Sequence, residues 1–145
     1  MTRRRDDYDR LQGEIQDLID ELWQVPRFSG LRRGFRPQVD VVRTDDPDEF
    51  QVIIELPGVE PNDVSVYADA QTLVVAGERR RPHRGRYFHM EIDFGPFQRR
   101  VQFTETVDPS RAHAEYHRGL LTVSLPIAQR KTTGGKVAIH VGGES

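Results

Sequence analysis

Ala112-His113-Ala114-Glu115-Tyr116-His117-Arg118-Gly119-Leu120-Leu121-Thr122-Val123-Ser124-Leu125 is the stretch that decides the fold. Ala112 to His117 and Leu120 to Leu125 read as two short strands joined at Arg118-Gly119. Gly119 supplies the positive φ of a two-residue hairpin turn, with Arg118 a poorer companion there than Asn. Working outward, the same grammar recurs upstream. Val39, Val41 and then Phe50, Val52 and Ile54 alternate with polar neighbours, with Asp45-Asp46-Pro47-Asp48 as the intervening turn. Leu56-Pro57-Gly58-Val59 closes the second of these strands, because Pro57 has no ladder donor and Gly58 permits a turn. Val64 to Ala68 and Leu73 to Gly77 flank Asp69-Ala70-Gln71, and Phe97 to Phe103 forms a further strand. Short strands at this spacing predict an all-β sandwich rather than a helical or βαβ fold.

Three zones follow. Residues 1–36 form an N-terminal arm, residues 37–127 the sandwich, and residues 128–145 a C-terminal extension. In the arm, Tyr8, Leu11, Ile15, Leu18, Ile19 and Leu22 recur at three- and four-residue steps. Asp6, Asp7, Asp9, Glu14, Asp17, Asp20 and Glu21 fill the other face. This predicts an amphipathic helix, acidic near its start where the helix dipole favours carboxylates, and ended by Pro26. Phe28 to Phe35 is Arg- and Gly-rich and reads as irregular.

Glu78 to Gly95 is long for a β-connection. It opens on Arg79-Arg80-Arg81-Pro82 and carries Tyr87-Phe88-His89-Met90-Glu91-Ile92, a candidate strand. A long loop with its own strand either folds back on its own sheet or pairs elsewhere, as in dimerisation by strand exchange. In the extension, Arg130 to Lys136 has no apolar residue, and then comes Val137-Ala138-Ile139-His140-Val141. Extended, this segment places Val137, Ile139 and Val141 on one face. An isolated strand has no reason to persist in water, so it is expected to dock by edge addition, on its own domain or on another subunit.

Composition narrows the function. Among 145 residues there is no cysteine, which removes disulfides and thiol catalysis. No apolar run approaches membrane-spanning length and nothing resembles a signal peptide, so a cytoplasmic protein without a membrane partner is expected. The net charge of -2 argues against a general nucleic-acid binder, and the runs Arg3-Arg4-Arg5, Arg32-Arg33 and Arg79-Arg80-Arg81 read as solvated or ion-paired. His113 and His117 share a strand face but stand about 13 Å apart at strand rise, too far for one metal. With no catalytic triad order and no phosphate loop, neither enzymatic activity nor a catalytic, metal or cofactor site is expected.

The chain resembles the small heat-shock proteins, which carry an α-crystallin domain, of the bacterial and plant type. The resemblance rests on Val52 to Val59, Leu73 to Glu78, Phe94 to Phe103 and Ala114 to Pro126, the last matching A-x-x-x-x-G-x-L-x-x-x-x-P at Ala114, Gly119, Leu121 and Pro126. Val137-Ala138-Ile139 resembles the family's I/V-x-I/V tail motif, although Ile139/Val141 gives a second register. Arg118 stands where Asn is common, and Thr104 where Pro often follows the strand.

The resemblance implies an immunoglobulin-like β-sandwich and ATP-independent binding of unfolding client proteins. It implies a dimer in which the loop strand, with Tyr87, Phe88 and His89, pairs with a partner's first strand around Val39 and Val41. It also implies a dimer-interface role for Arg99 against acidic groups. It places the tail groove between the strands of Val64, Val66 and Ala114. Clients are expected to meet Leu11, Ile15, Leu18, Leu22, Trp23 and Phe28 of the arm. A sandwich-type co-chaperone with one specific partner is the alternative, but that class needs neither the tail motif nor the loop strand.

Overall fold

The computed structural model describes residues 34–129 and 134–142. The arm residues named above, Leu11, Ile15, Leu18, Leu22, Trp23 and Phe28, lie outside them. Among the described residues nine strands form two sheets: β1 (Val39–Asp45), β2 (Asp48–Glu55), β3 (Val64–Ala68), β4 (Thr72–Arg79), β5 (Gly95–Gln102), β6 (His113–His117), β7 (Leu120–Pro126), β8 (Gly135–Val137) and β9 (Ile139–Val141). One sheet runs β1-β2-β7-β6-β9 and the other β5-β4-β3-β8. The alternation seen in the sequence becomes the core. Val52, Ile54, Leu121, Val123 and Leu125 of the first sheet face Val66, Leu73, Val75 and Phe97 of the second, all essentially without solvent contact. Phe50 and Phe103 close one end with ring centroids 4.9 Å apart.

The β6–β7 hairpin has the predicted two-residue turn, with His117 opposite Leu120. Arg118 has φ 52° and Gly119 φ 81°, so both turn residues are left-handed, the pairing a type I′ turn requires. Arg118 therefore takes a conformation in which Asn or Gly sits at lower cost. Asp69, buried at the β3–β4 turn, accepts from the backbone N–H groups of Gln71 (2.8 Å) and Thr72 (2.7 Å). Those bonds satisfy a carboxylate that would otherwise be costly to bury.

Two backbone straps cross the open sides of the sandwich. On one side, Phe35 donates its N–H to Pro96 O (3.3 Å) at β5, and Gln38 O accepts from Glu55 N (3.0 Å) at β2. The Phe35 ring packs edge-on against Phe97 at 5.6 Å. On the other side the C-terminal extension bridges β3 and β6. The first strap begins within residues expected to be irregular arm. The sequence gives little sign of it, because a lone Phe among Arg and Gly has no periodicity.

Candidate functional site

The C-terminal extension lies in the groove between the two sheets. β8 pairs antiparallel with β3, with Val137 opposite Val66. β9 pairs parallel with β6, with Ile139 opposite Ala114. Val64, Val66 and Ala114 are all buried beneath them. Val137 is 6% exposed and Ile139 is half-buried, but Val141 is 67% exposed. A single extended strand would have put all three on one face. Instead the chain changes sheets at Ala138, and Val141 falls beyond the groove. Here the seated pair is Val137 and Ile139, and Gly142 N donates to Tyr116 O (2.8 Å) to close the docking.

The groove floor is tied to the β2 exit. Tyr116 donates its hydroxyl proton to Leu56 O (2.7 Å), and burial pushes that phenol's pKa up. On the outer face, His140 of the tail stacks on His113 of β6 with ring centroids 5.2 Å apart. His113 and His117, considered together from the sequence as metal ligands, are not brought together with a third ligand. Among the described residues no group of three His, Cys, Asp or Glu side chains could hold a metal ion.

The long loop is the second feature. Residues 80–93 are exposed throughout and carry no strand, so Tyr87 to Ile92 does not fold back on its own sheet. Phe88 is 94% exposed, with Met90 and Ile92 also open to solvent. β1 is the outermost strand of its sheet, and Val41, opposite Val52, is exposed there while Val39 is half-buried.

The loop base is built around Arg79, whose guanidinium is buried. It lies 3.7 Å from the centre of the Phe35 ring and 5.1 Å from that of Phe94. It donates to Asp93 O and to Pro57 O. Burial lowers the pKa of this guanidinium below its ordinary value. Nothing in the run Arg79-Arg80-Arg81 distinguishes this arginine from the two exposed ones beside it, so the sequence missed it.

Arg99 was expected against acidic groups. Within the chain its guanidinium donates to Pro37 O (2.6 Å). Burial and the nearby Arg36 lower its pKa. Arg43, by contrast, lies beside Glu105 (2.8 Å) and Asp48 (2.6 Å), and holds the Glu105 carboxyl below the usual carboxylate range.

Residues 42–141 match the Hsp20/alpha crystallin family. The chain belongs to that family, the small heat-shock proteins. Heat shock protein 16 of Schizosaccharomyces pombe is 33% identical over 132 residues, covering 86% of this chain and 91% of that protein. Alpha-crystallin of Mycobacterium tuberculosis is 32% identical over 121 residues, covering 79% and 81%. Among solved structures, heat shock protein 16.0 from Schizosaccharomyces pombe superposes with a TM-score of 0.59 at 33% identity, over 68% of this chain and 94% of that one. The hspA protein from Xanthomonas axonopodis gives 0.57 at 26% identity, over 66% and 96%. The sandwich and the chaperone class expected from the sequence stand on these matches. Among the described residues no helix is long and apolar enough to cross a membrane.

Proposed function

We propose that the protein is an ATP-independent holdase of the cytoplasm that binds partially unfolded proteins and keeps them from aggregating. The observation that carries this reading is the seat of Val137 and Ile139 in a groove whose walls are otherwise buried apolar residues. A holdase needs apolar surface that is covered at rest and uncovered under stress. The magnitudes suit a reversible cover. Burying the two side chains contributes about 1.5–3 kcal/mol each. Strand hydrogen bonds add about 1 kcal/mol each. Ordering about five residues costs about 1–2 kcal/mol apiece. The sum lies near zero, so one tail exchanges readily and only several together hold an assembly.

The working unit is a dimer formed by exchange of the Tyr87–His89 segment onto a partner's β1 at Val39 and Val41. The exposed apolar residues of that loop and the free edge of β1 support it. Clients meet the vacated groove and the apolar arm residues Leu11, Ile15, Leu18, Leu22, Trp23 and Phe28.

Light scattering after size exclusion, on the full chain and on a truncation after Arg130, tests the tail. The expected result is a large assembly that falls to dimers on truncation. A dimer unchanged by truncation would confine the tail to its own dimer and move client binding onto the arm. A monomer in both would sink the strand-exchange dimer. Arg99→Gly removes a guanidinium from the dimer-facing region, and a loosened dimer is expected from the mass measured on dilution. If mass and melting temperature both match the parent, Arg99 has no interface role.

A further inference from the structure

We infer that the basic half of the long loop, Arg80 to Arg86, is a docking surface for the acidic segment Asp6–Glu21 of the same chain. The inference goes beyond client binding and does not depend on it. Residues 79–90 contain five arginines, two histidines and no carboxylate. Arg79 is buried in the loop base. Arg80 pairs with Asp63 and Glu78. Arg81 lies over the rings of Tyr87 and Phe94. Arg84 and Arg86 are exposed and have no acidic partner among the described residues. The loop thus presents uncompensated positive charge on a protein whose net charge is -2.

The compensating charge is concentrated in one place. Between residues 6 and 21 stand seven carboxylates and a single arginine, Arg10, giving -6 over sixteen residues. The structure also fixes where that segment starts from. Described backbone begins at Gly34, packed so closely on Pro96 that an added Cβ would lie 2.7 Å from its carbonyl oxygen. Gly95 is 3.4 Å from Gly34 by the same measure, and Phe35 lies under Arg79. The arm therefore leaves the sandwich at the base of the loop itself. The twelve residues from Leu22 to Arg33 reach at most about 40 Å when extended, ample to return over the loop. A tether this short holds acidic segment and basic loop at high effective concentration. The contact is between exposed charges, so salt weakens it.

The chain has no cysteine, which makes a disulfide a clean test. Gly13 falls among the acidic positions of the predicted helix, and a side chain at Gly85 meets nothing within 4 Å. In the full chain carrying Gly13→Cys and Gly85→Cys, mild oxidation at 50 mM salt is expected to give a cross-linked species of single-chain mass. At 500 mM salt its formation is expected to slow at least five-fold. Adding Arg84→Glu and Arg86→Glu is expected to slow it similarly at low salt, and further reversing Asp17 and Glu21 to Arg to restore it. A cross-link of two-chain mass would assign the loop to the arm of another copy and overturn the same-chain docking. Cross-linking that ignores both salt and charge reversal would overturn the electrostatic match. No cross-link at either salt, together with salt-sensitive binding of a single-stranded oligonucleotide, would make the loop a polyanion site and overturn the inference. No cross-link without such binding overturns it equally.

Discussion

Gly77→Ala is expected to lower the melting temperature by about 15 °C. Gly77 sits on β4, opposite Val64 of β3 and Phe97 of β5. A Cβ there would lie 2.2 Å from the backbone carbonyl oxygen of Asp63 and 2.9 Å from the Phe97 ring. Asp63 ends the single 3₁₀ turn Pro61–Asp63 that feeds β3, so the obstructing atom is backbone and cannot rotate away. Phe97 has no solvent contact and packs against Phe35. Relief must displace either the entry to β3, and with it the groove floor at Val64, or the ring that anchors the first strap. Overpacking of this kind costs about 3 kcal/mol. In a domain of about a hundred residues each kcal/mol moves the midpoint by about 5 °C. Gly85→Ala, in open solvent on the loop, is the control and should stay within about 0.5 kcal/mol of the parent. Equal midpoints for the two variants, measured by circular dichroism, would show that the β3 entry yields freely.

Val137→Asp is expected to abolish tail docking while leaving the sandwich folded. Val137 is buried against Val66, and a carboxylate in that seat would be desolvated among apolar side chains. The lost apolar burial alone is about 1.5–3 kcal/mol, well beyond the near-zero net docking energy of one tail. The charged variant should therefore have an unseated tail at every accessible concentration. The expected readouts are loss of amide protection in Val66–Ala68 and Ala114–Tyr116 and a smaller assembly by light scattering. Val141→Asp, at an exposed position, should change neither. If Val141→Asp unseats the tail and Val137→Asp does not, the operative register is Ile139/Val141.

The contrast between these two valines shows how far the sequence could be read. Alternation and turn chemistry suffice for β2, β3, β6 and β7, because each buries one face more deeply than the other and each ends at a Gly, Pro or Asp signal, whereas β4 is a continuous apolar run buried on both faces. They also suffice to mark Val64, Val66 and Ala114 as apolar strand positions, but it is the resemblance that places their two strands, which lie in different sheets, along one groove. They fail where geometry is set by elements distant in sequence. Periodicity treats residues 137–141 as one strand, but the two sheet edges they meet run in different directions relative to the tail, so the chain turns at Ala138. Arg79 is one of three consecutive arginines in sequence, and only the convergence of Phe35, Pro57 and Phe94 buries it. The family's dimer role for Arg99 came from resemblance, and a lone chain shows only its bond to Pro37 O.

The tail's double pairing has one more consequence. β8 and β9 form the borders of their respective sheets, so when they leave, β3 and β6 become the borders together. Departure of seven residues thus bares two rows of unbonded amide and carbonyl groups on either side of one apolar trough. In the proposed holdase those groups would recognise main chain, which every polypeptide shares, and only where it is extended and not already engaged in its own structure. A native globular protein offers almost no such strand, whereas an unravelling one offers many. Discrimination between the two then needs no side-chain code: it follows from which chains still have free backbone to give.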